Sequence, residues 1–188
     1  VSDESDAFAA AGVQLAAALA ASANDPADAI RMLLPLAGWM PPGIDGTGPL
    51  AANARAAAAA IASNLRCAAC AALATASTAY LPASYQDAAA LRGLVCGALD
   101  AEATRSGDAG LDATYQALRD LRAAVSLDLA VRGASLPWLA EITTRAPMPS
   151  LAEAWTLYAD TPREPGMVAS ADPQHPLFMP TNFPALNQ

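Results

Sequence analysis

Residues Ser84–Gly133 read SYQDAAALRGLVCGALDAEATRSGDAGLDATYQALRDLRAAVSLDLAVRG, and this stretch decides the fold. It predicts two amphipathic helices joined by a turn at Ser106–Gly110. Ser84 with Asp87 three residues on is a capping-box-like start: a hydroxyl accepts an orphan N–H, and a carboxylate sits at the positive end of the helix dipole. In the second helix Tyr115, Leu118, Leu121, Val125 and Leu129 recur at spacings of three and four, so they share one face. Gly133 stands where a left-handed residue would end that helix.

Outward from this pair, the N-terminal side is also helical. Asp3–Ser22 predicts a first helix. Asn24-Asp25-Pro26 is a turn and helix start, and the second helix carries Ile30, Met32, Leu33 and Leu34 before meeting Pro35. Trp39–Pro49, WMPPGIDGTGP, is too rich in Pro and Gly to continue it and reads as a linker or flexible loop. Leu50–Thr78 is a long Ala-rich helix. Its neighbourhood Ala51–Tyr80 approaches a membrane span in length and apolarity, but Arg55, Asn64 and Arg66 interrupt it, so it is assigned to a half-buried bundle helix and no membrane span is expected.

After Gly133 the character changes. Glu141–Thr144 favours extended backbone, Ser150 with Glu153 forms a second capping box, and Arg163–Ala171 predicts another short helix. His175–Pro180 reads as extended and Phe183–Leu186 as a last strand. The fold class is therefore mainly α: a multi-helix bundle followed by a small α/β module. Three segments are assigned: 1–49, helical and ending in the Pro/Gly-rich loop; 50–135, the bundle core; and 136–188, the small module.

The chain has 188 residues, a net charge of −8, and 10 basic residues that are all arginine. Nucleic-acid binding draws much of its affinity from phosphate neutralisation, so an acidic chain without a basic run is a poor candidate, and proteins are the expected partners. A homo-oligomer is one such partnership. The opening Val1 rather than Met suggests a piece of a longer or processed protein. Much of the 54% hydrophobic content is alanine, which favours helix but buries little area. Dense packing is therefore expected around Phe8, Trp39, Trp138, Trp155, Phe178 and Phe183.

No catalytic or cofactor constellation stands out, and the chain is read as non-enzymatic. Cys67 and Cys70 form a C-x-x-C that Cys96 and His175 could in principle complete as zinc ligands, but the pair lies inside an Ala-rich helix and no metal site is assigned. His175 is expected to fix a turn by hydrogen bonding. Asp100 and Glu102, two apart, point to different faces and are read as solvated charges. Arg119 and Arg122 share a face and are expected to pair within the molecule or with an acidic partner. Trp138 and Trp155 are expected as core anchors, with partial exposure marking them instead as contact residues. The candidate interface set is Arg119, Arg122, Trp138, Trp155, Tyr158, His175 and Phe178.

An ordered set of landmarks carries a family resemblance. These are the helix from Asn64 to Ala76, Pro82–Ala88, Leu99–Glu102, Leu118–Arg122, Arg132–Ala134, Leu157–Asp160 and the ending His175–Pro180. Together they resemble the C-terminal part of the Mu-type phage DNA circularisation (DNA circulation) proteins, over about Ala57–Leu186. The chain departs from that pattern at Ser170-Ala171-Asp172, where the family has an Asn before its His-Pro turn, and at Thr181-Asn182, where the family has a Gly after the last proline. The resemblance implies a virion structural protein of a phage or prophage contractile tail, made in the bacterial host cytoplasm and contacting other baseplate or hub proteins. DNA end-joining or protection is the alternative that the family name implies. Glu141–Leu186 is also similar to a LysM-type module, which implies protein docking or, alternatively, peptidoglycan binding.

Overall fold

The computed structural model describes residues 2–187 and places seven α-helices and two strands among them. The helices are α1 (Ser2–Ala21), α2 (Pro26–Ala37), α3 (Pro49–Ala79), α4 (Tyr85–Asp108), α5 (Asp112–Ala134), α6 (Ser150–Tyr158) and α7 (Glu164–Ala171). The strands are β1 (Leu139–Thr143) and β2 (Asn182–Leu186). The chain is thus mainly α, a helical bundle followed by a small α/β end, as its periodicity predicts. It divides into two compact units, one of residues 1–81 and 89–131, the other of 82–88 and 132–188.

In the first unit the helices surround one apolar core. Ile30 and Leu33 of α2, Ala69, Cys70 and Leu73 of α3, Val95 and Leu99 of α4, and Leu118, Val125 and Leu129 of α5 are buried together. Tyr115 and Leu121 pack partly buried on the same cluster, so the face read from α5 is the face it buries. Alanine lets the helices approach closely: Ala16 of α1 and Ala68 and Ala69 of α3 are core residues, and the Asn64 amide of α3 donates to the Phe8 carbonyl of α1 at 3.1 Å. Asp25 caps α2 by accepting from Ala27 N–H at 2.8 Å, with Pro26 at the first helical position. Pro35 does not stop α2, which continues to Ala37. The proline lies in the last turn, so little of the helix remains beyond it.

The Pro/Gly-rich loop is tied down rather than left free. The Arg55 guanidinium donates to the carbonyls of Ile44 at 3.2 Å and Gly46 at 2.8 Å. The turn between α4 and α5 uses Gly110 at φ +72°, a conformation that costs other residues energy.

The second unit is a βααβ module. Its strands pair antiparallel, from Leu139 opposite Leu186 to Thr143 opposite Asn182. Pro184 is tolerated in β2 because a two-stranded sheet has only edge strands. Ala154, Met167, Met179, Phe183 and Ala185 form the core, flanked by Ile142, Leu157, Tyr158 and Val168. Ala159 and Asp172 end α6 and α7 in the left-handed conformation.

The start of α4 belongs to this unit. Ser84 Oγ accepts from Asp87 N–H at 3.0 Å, and the Asp87 carboxylate accepts from Ala83 N–H at 2.9 Å. The predicted Ser84 cap forms, and the Asp87 carboxylate adds a return bond one residue earlier than in the standard box. The Gln86 amide both donates to the Leu139 carbonyl at 3.0 Å and accepts from its N–H at 2.9 Å, so it supplies β1 with one more ladder partner.

Four local expectations are corrected. Gly133 lies inside α5, not at a left-handed end; a Cβ there would come within 2.8 Å of the Ala88 Cβ, so close approach explains the glycine. The Ser150–Glu153 capping box does not form, because Pro149 is the N-cap and Ser150 Oγ donates instead to Glu164 Oε1 at 2.5 Å. His175–Pro180 is not extended: it holds a turn in which Phe178 N–H donates to the His175 carbonyl at 3.0 Å. Lastly, of the six large aromatics expected in dense packing, Phe183 is buried while Phe8, Trp39, Trp138, Trp155 and Phe178 are exposed. Alanine and aliphatic side chains fill the bundle core without them.

Candidate functional site

A group of large apolar side chains stands in solvent on the outer surface of the βααβ module. Serine at the first helical position and the 3.6-residue period set α6 so that Ala154 and Leu157 turn inward, while Leu151 and Trp155, four apart, stand outward on one face. Trp155 is 63% exposed. The turn at 175–178 lies beside the start of this helix, because Ser150 N–H donates to the Pro176 carbonyl at 2.7 Å and Met179 N–H to the Met148 carbonyl at 3.0 Å. It presents Leu177 and Phe178, the latter 71% exposed.

His175 builds that turn. Its Nδ1 accepts from Leu177 N–H at 3.1 Å, and its ring lies 6.2 Å from the Phe178 ring. Tyr158 is half-buried with the Arg163 guanidinium 4.7 Å above its ring. Burial pushes its hydroxyl above the ordinary range, against the opposing effects of a hydrogen bond with the Leu186 backbone and of Arg163. Trp138 is 53% exposed and stacks on Tyr85, with centroids 4.1 Å apart and planes within 10°. The two tryptophans are therefore not core anchors. Each keeps a large face in solvent, since Phe183, Met167 and Met179 already fill the small core.

In the first unit, Arg122 pairs with Asp100 at 3.1 Å, and Arg119 lies 5.9 Å from the Tyr115 ring centroid on the same helix. The expectation for Glu102 is overturned. It is fully buried, and its Oε2 accepts from Arg66 Nε at 2.5 Å and from Arg105 Nη1 at 3.2 Å, while Oε1 accepts from Arg66 Nη2 at 3.3 Å. Arg66, itself buried, also donates to the Trp39 carbonyl at 3.2 Å. This charge cluster joins α3, α4 and the loop after α2. Sequence offered one signal for it: an arginine and a glutamate interrupting apolar helices.

The thiols sit in the same core. Cys67 Sγ lies 3.8 Å from Glu102 Oε1. Burial pushes Cys70 up to about 12, helped by Cys67 and Glu102, and burial likewise raises Cys67 and Cys96. Such thiols are poor nucleophiles, because the thiolate is the reactive form. Among the described residues no three His, Cys, Asp or Glu side chains cluster as a metal site.

A groove of about 530 Å³ opens between α1, the start of α2, and α3, lined largely by alanine, including Ala17, Ala20, Ala72 and Ala76. By length and composition α3 is the one described helix that could cross a membrane; here 33% of its most apolar stretch is buried within the protein. Compared with protein-family models and with curated proteins, the chain matches none.

Proposed function

We propose that this chain is a non-enzymatic structural protein of a contractile phage tail, working at the baseplate or hub through contacts with other tail proteins, in single copies or as a homo-oligomer. The tail assignment rests on the ordered resemblance to the DNA circularisation family. The observation that carries the contact role is the outward display of Trp155, Leu151, Phe178 and Trp138 on the βααβ module. Large aromatics held on a rigid scaffold, free of the core, are the side chains that dominate protein interfaces. The raised thiols and the engagement of His175 Nδ1 within its own turn support a non-enzymatic reading.

The same aromatics could stack on sugar rings, which makes peptidoglycan the second reading for the module. The net charge of −8 speaks against DNA as the ligand of this chain.

The test is mass spectrometry of purified virions, with and without tails, looking for the peptides Ala123–Arg132, Gly133–Arg145 and Glu164–Gln188. Stoichiometric recovery with the tail is the expected result. Their absence from the particle would overturn the tail assignment, and pelleting of the protein with purified peptidoglycan would move the glycan reading to first place.

A further inference from the structure

Glu153 is the one acidic residue of α6, and it points inward. It is 1% exposed, next in the chain to the core residue Ala154, and its Oε1 has no hydrogen-bond partner. Burying an ionised carboxylate without a partner is costly, whereas a neutral carboxyl is far cheaper to bury.

The charged and titratable groups on the elements packed around it are otherwise engaged or turned outward. Glu141 of β1 and Arg145 just beyond it are exposed. Arg163 lies over the Tyr158 ring, Glu164 of α7 takes the Ser150 hydroxyl, and His175 is held by Leu177 N–H. Asp172 ends α7 in the left-handed conformation, and β2 carries no charged residue. The group that reaches the carboxyl is the Thr144 side chain, whose hydrogen bond favours the ionised form but is outweighed by burial.

We propose that Glu153 is a protonation-controlled latch of the βααβ module: the module closes around the neutral carboxyl, and ionisation loosens the seam that holds α6 against the 175–179 turn. That seam is the pair of backbone hydrogen bonds Ser150 to Pro176 and Met179 to Met148, with Thr144 to Thr181 beside it. The direction follows from linkage. Burial raises the folded carboxyl above its ordinary value of 4.5, so the closed module binds the proton more tightly than the open one. Closure is fully supported below 4.5 and weakens as pH rises through the folded value, by up to about tenfold per pH unit within that window. Opening would bare Met167, Met179 and Phe183 beside the exposed aromatics, so the latch would couple acidity to the contact surface.

The experiment is amide hydrogen exchange of the full chain, wild type against Glu153→Gln, from pH 4 to pH 8, following Thr144, Ser150 and Met179. Comparison at each pH cancels the intrinsic pH dependence of exchange. The expected result is equal protection at pH 4 and an advantage of the glutamine variant that grows as pH rises above 4.5 and then levels off. A ratio that stays constant across this range overturns the latch. Should the variant not fold, carbon-detected NMR titration of Glu153 in the wild type decides: a midpoint at or below 4.5 overturns it, and one above supports it.

Discussion

Glu102→Ala removes the carboxylate that two arginines share. Arg66 would keep the Trp39 carbonyl but lose both bonds to Glu102, at 2.5 and 3.3 Å, while remaining buried with 6% of its surface exposed. Arg105, partly exposed, can turn to solvent; Arg66 cannot. Breaking a buried pair from one side leaves an uncompensated charge and costs about 3–5 kcal/mol. That is a large share of the roughly 5–15 kcal/mol that holds a domain folded. With a urea dependence of about 2 kcal/mol per molar, the midpoint should fall by about 2 M. Circular dichroism at 222 nm against urea measures it.

The paired replacement Arg66→Met with Glu102→Leu is the control. It removes both charges and their desolvation together and should lie within about 2 kcal/mol of wild type, on either side. If Glu102→Ala costs under about 1 kcal/mol, or if the double variant is as damaged as the single one, then Arg66 and Glu102 do not form a buried, mutually dependent pair.

Gly133→Ala should lower the melting temperature, because overpacking against Ala88 costs about 1–3 kcal/mol and exceeds the helix-propensity gain of about 1 kcal/mol. Gly93→Ala, at an exposed position of α4 where a Cβ meets nothing within 4 Å, should instead raise it by up to that gain; equal shifts by calorimetry would refute the close-approach reading. Cys70 should react with iodoacetamide at pH 8 roughly a thousandfold more slowly than an ordinary thiol, on ionisation alone, and normally in urea. Because the folded thiol holds its proton more tightly than the unfolded one, Cys70 should also erode stability as pH climbs from 9 toward 12, and Cys70→Ala should flatten that slope in alkaline melts. Trp155→Ala should change stability by less than about 0.5 kcal/mol and, under the proposed tail role, lower incorporation into purified tails; unchanged incorporation would remove Trp155 from the proposed interface.

What was legible in the sequence is what local chemistry decides. Ser84 and Asp87 cap their own helix, and the period of Leu118, Val125 and Leu129 marks a buried face whatever lies opposite. The strand, helix, helix, strand order after Gly133 follows from β-branched residues and prolines for the same reason. What was not legible depends on a partner distant in the chain. Glu102 looks like a solvated charge until α3 brings Arg66 to it, 36 residues away. Glu153 has the spacing of a capping residue, yet Ser150 is claimed by Glu164 and the carboxyl turns inward. The aromatics were half legible: Trp138, Trp155 and Phe178 stand among the candidate contact residues, yet their scarcity in the composition also invited assignment to dense packing, and there alanine and aliphatic side chains fill the bundle core instead.

Alanine dominates the face that α3 buries in the bundle. Alanines repeat so evenly along α3 that a slip of one turn, about 5.4 Å, would again offer small side chains to Leu91, Val95 and Leu99 of α4. Shape alone distinguishes such neighbouring alignments weakly. The Arg66–Glu102 pair distinguishes them sharply, since a one-turn slip would face Glu102 with Ala62 or Cys70 and strand both charges in the interior. Set among apolar neighbours that tolerate a slip, this pair of opposite charges acts as the index mark by which the helices find a single alignment.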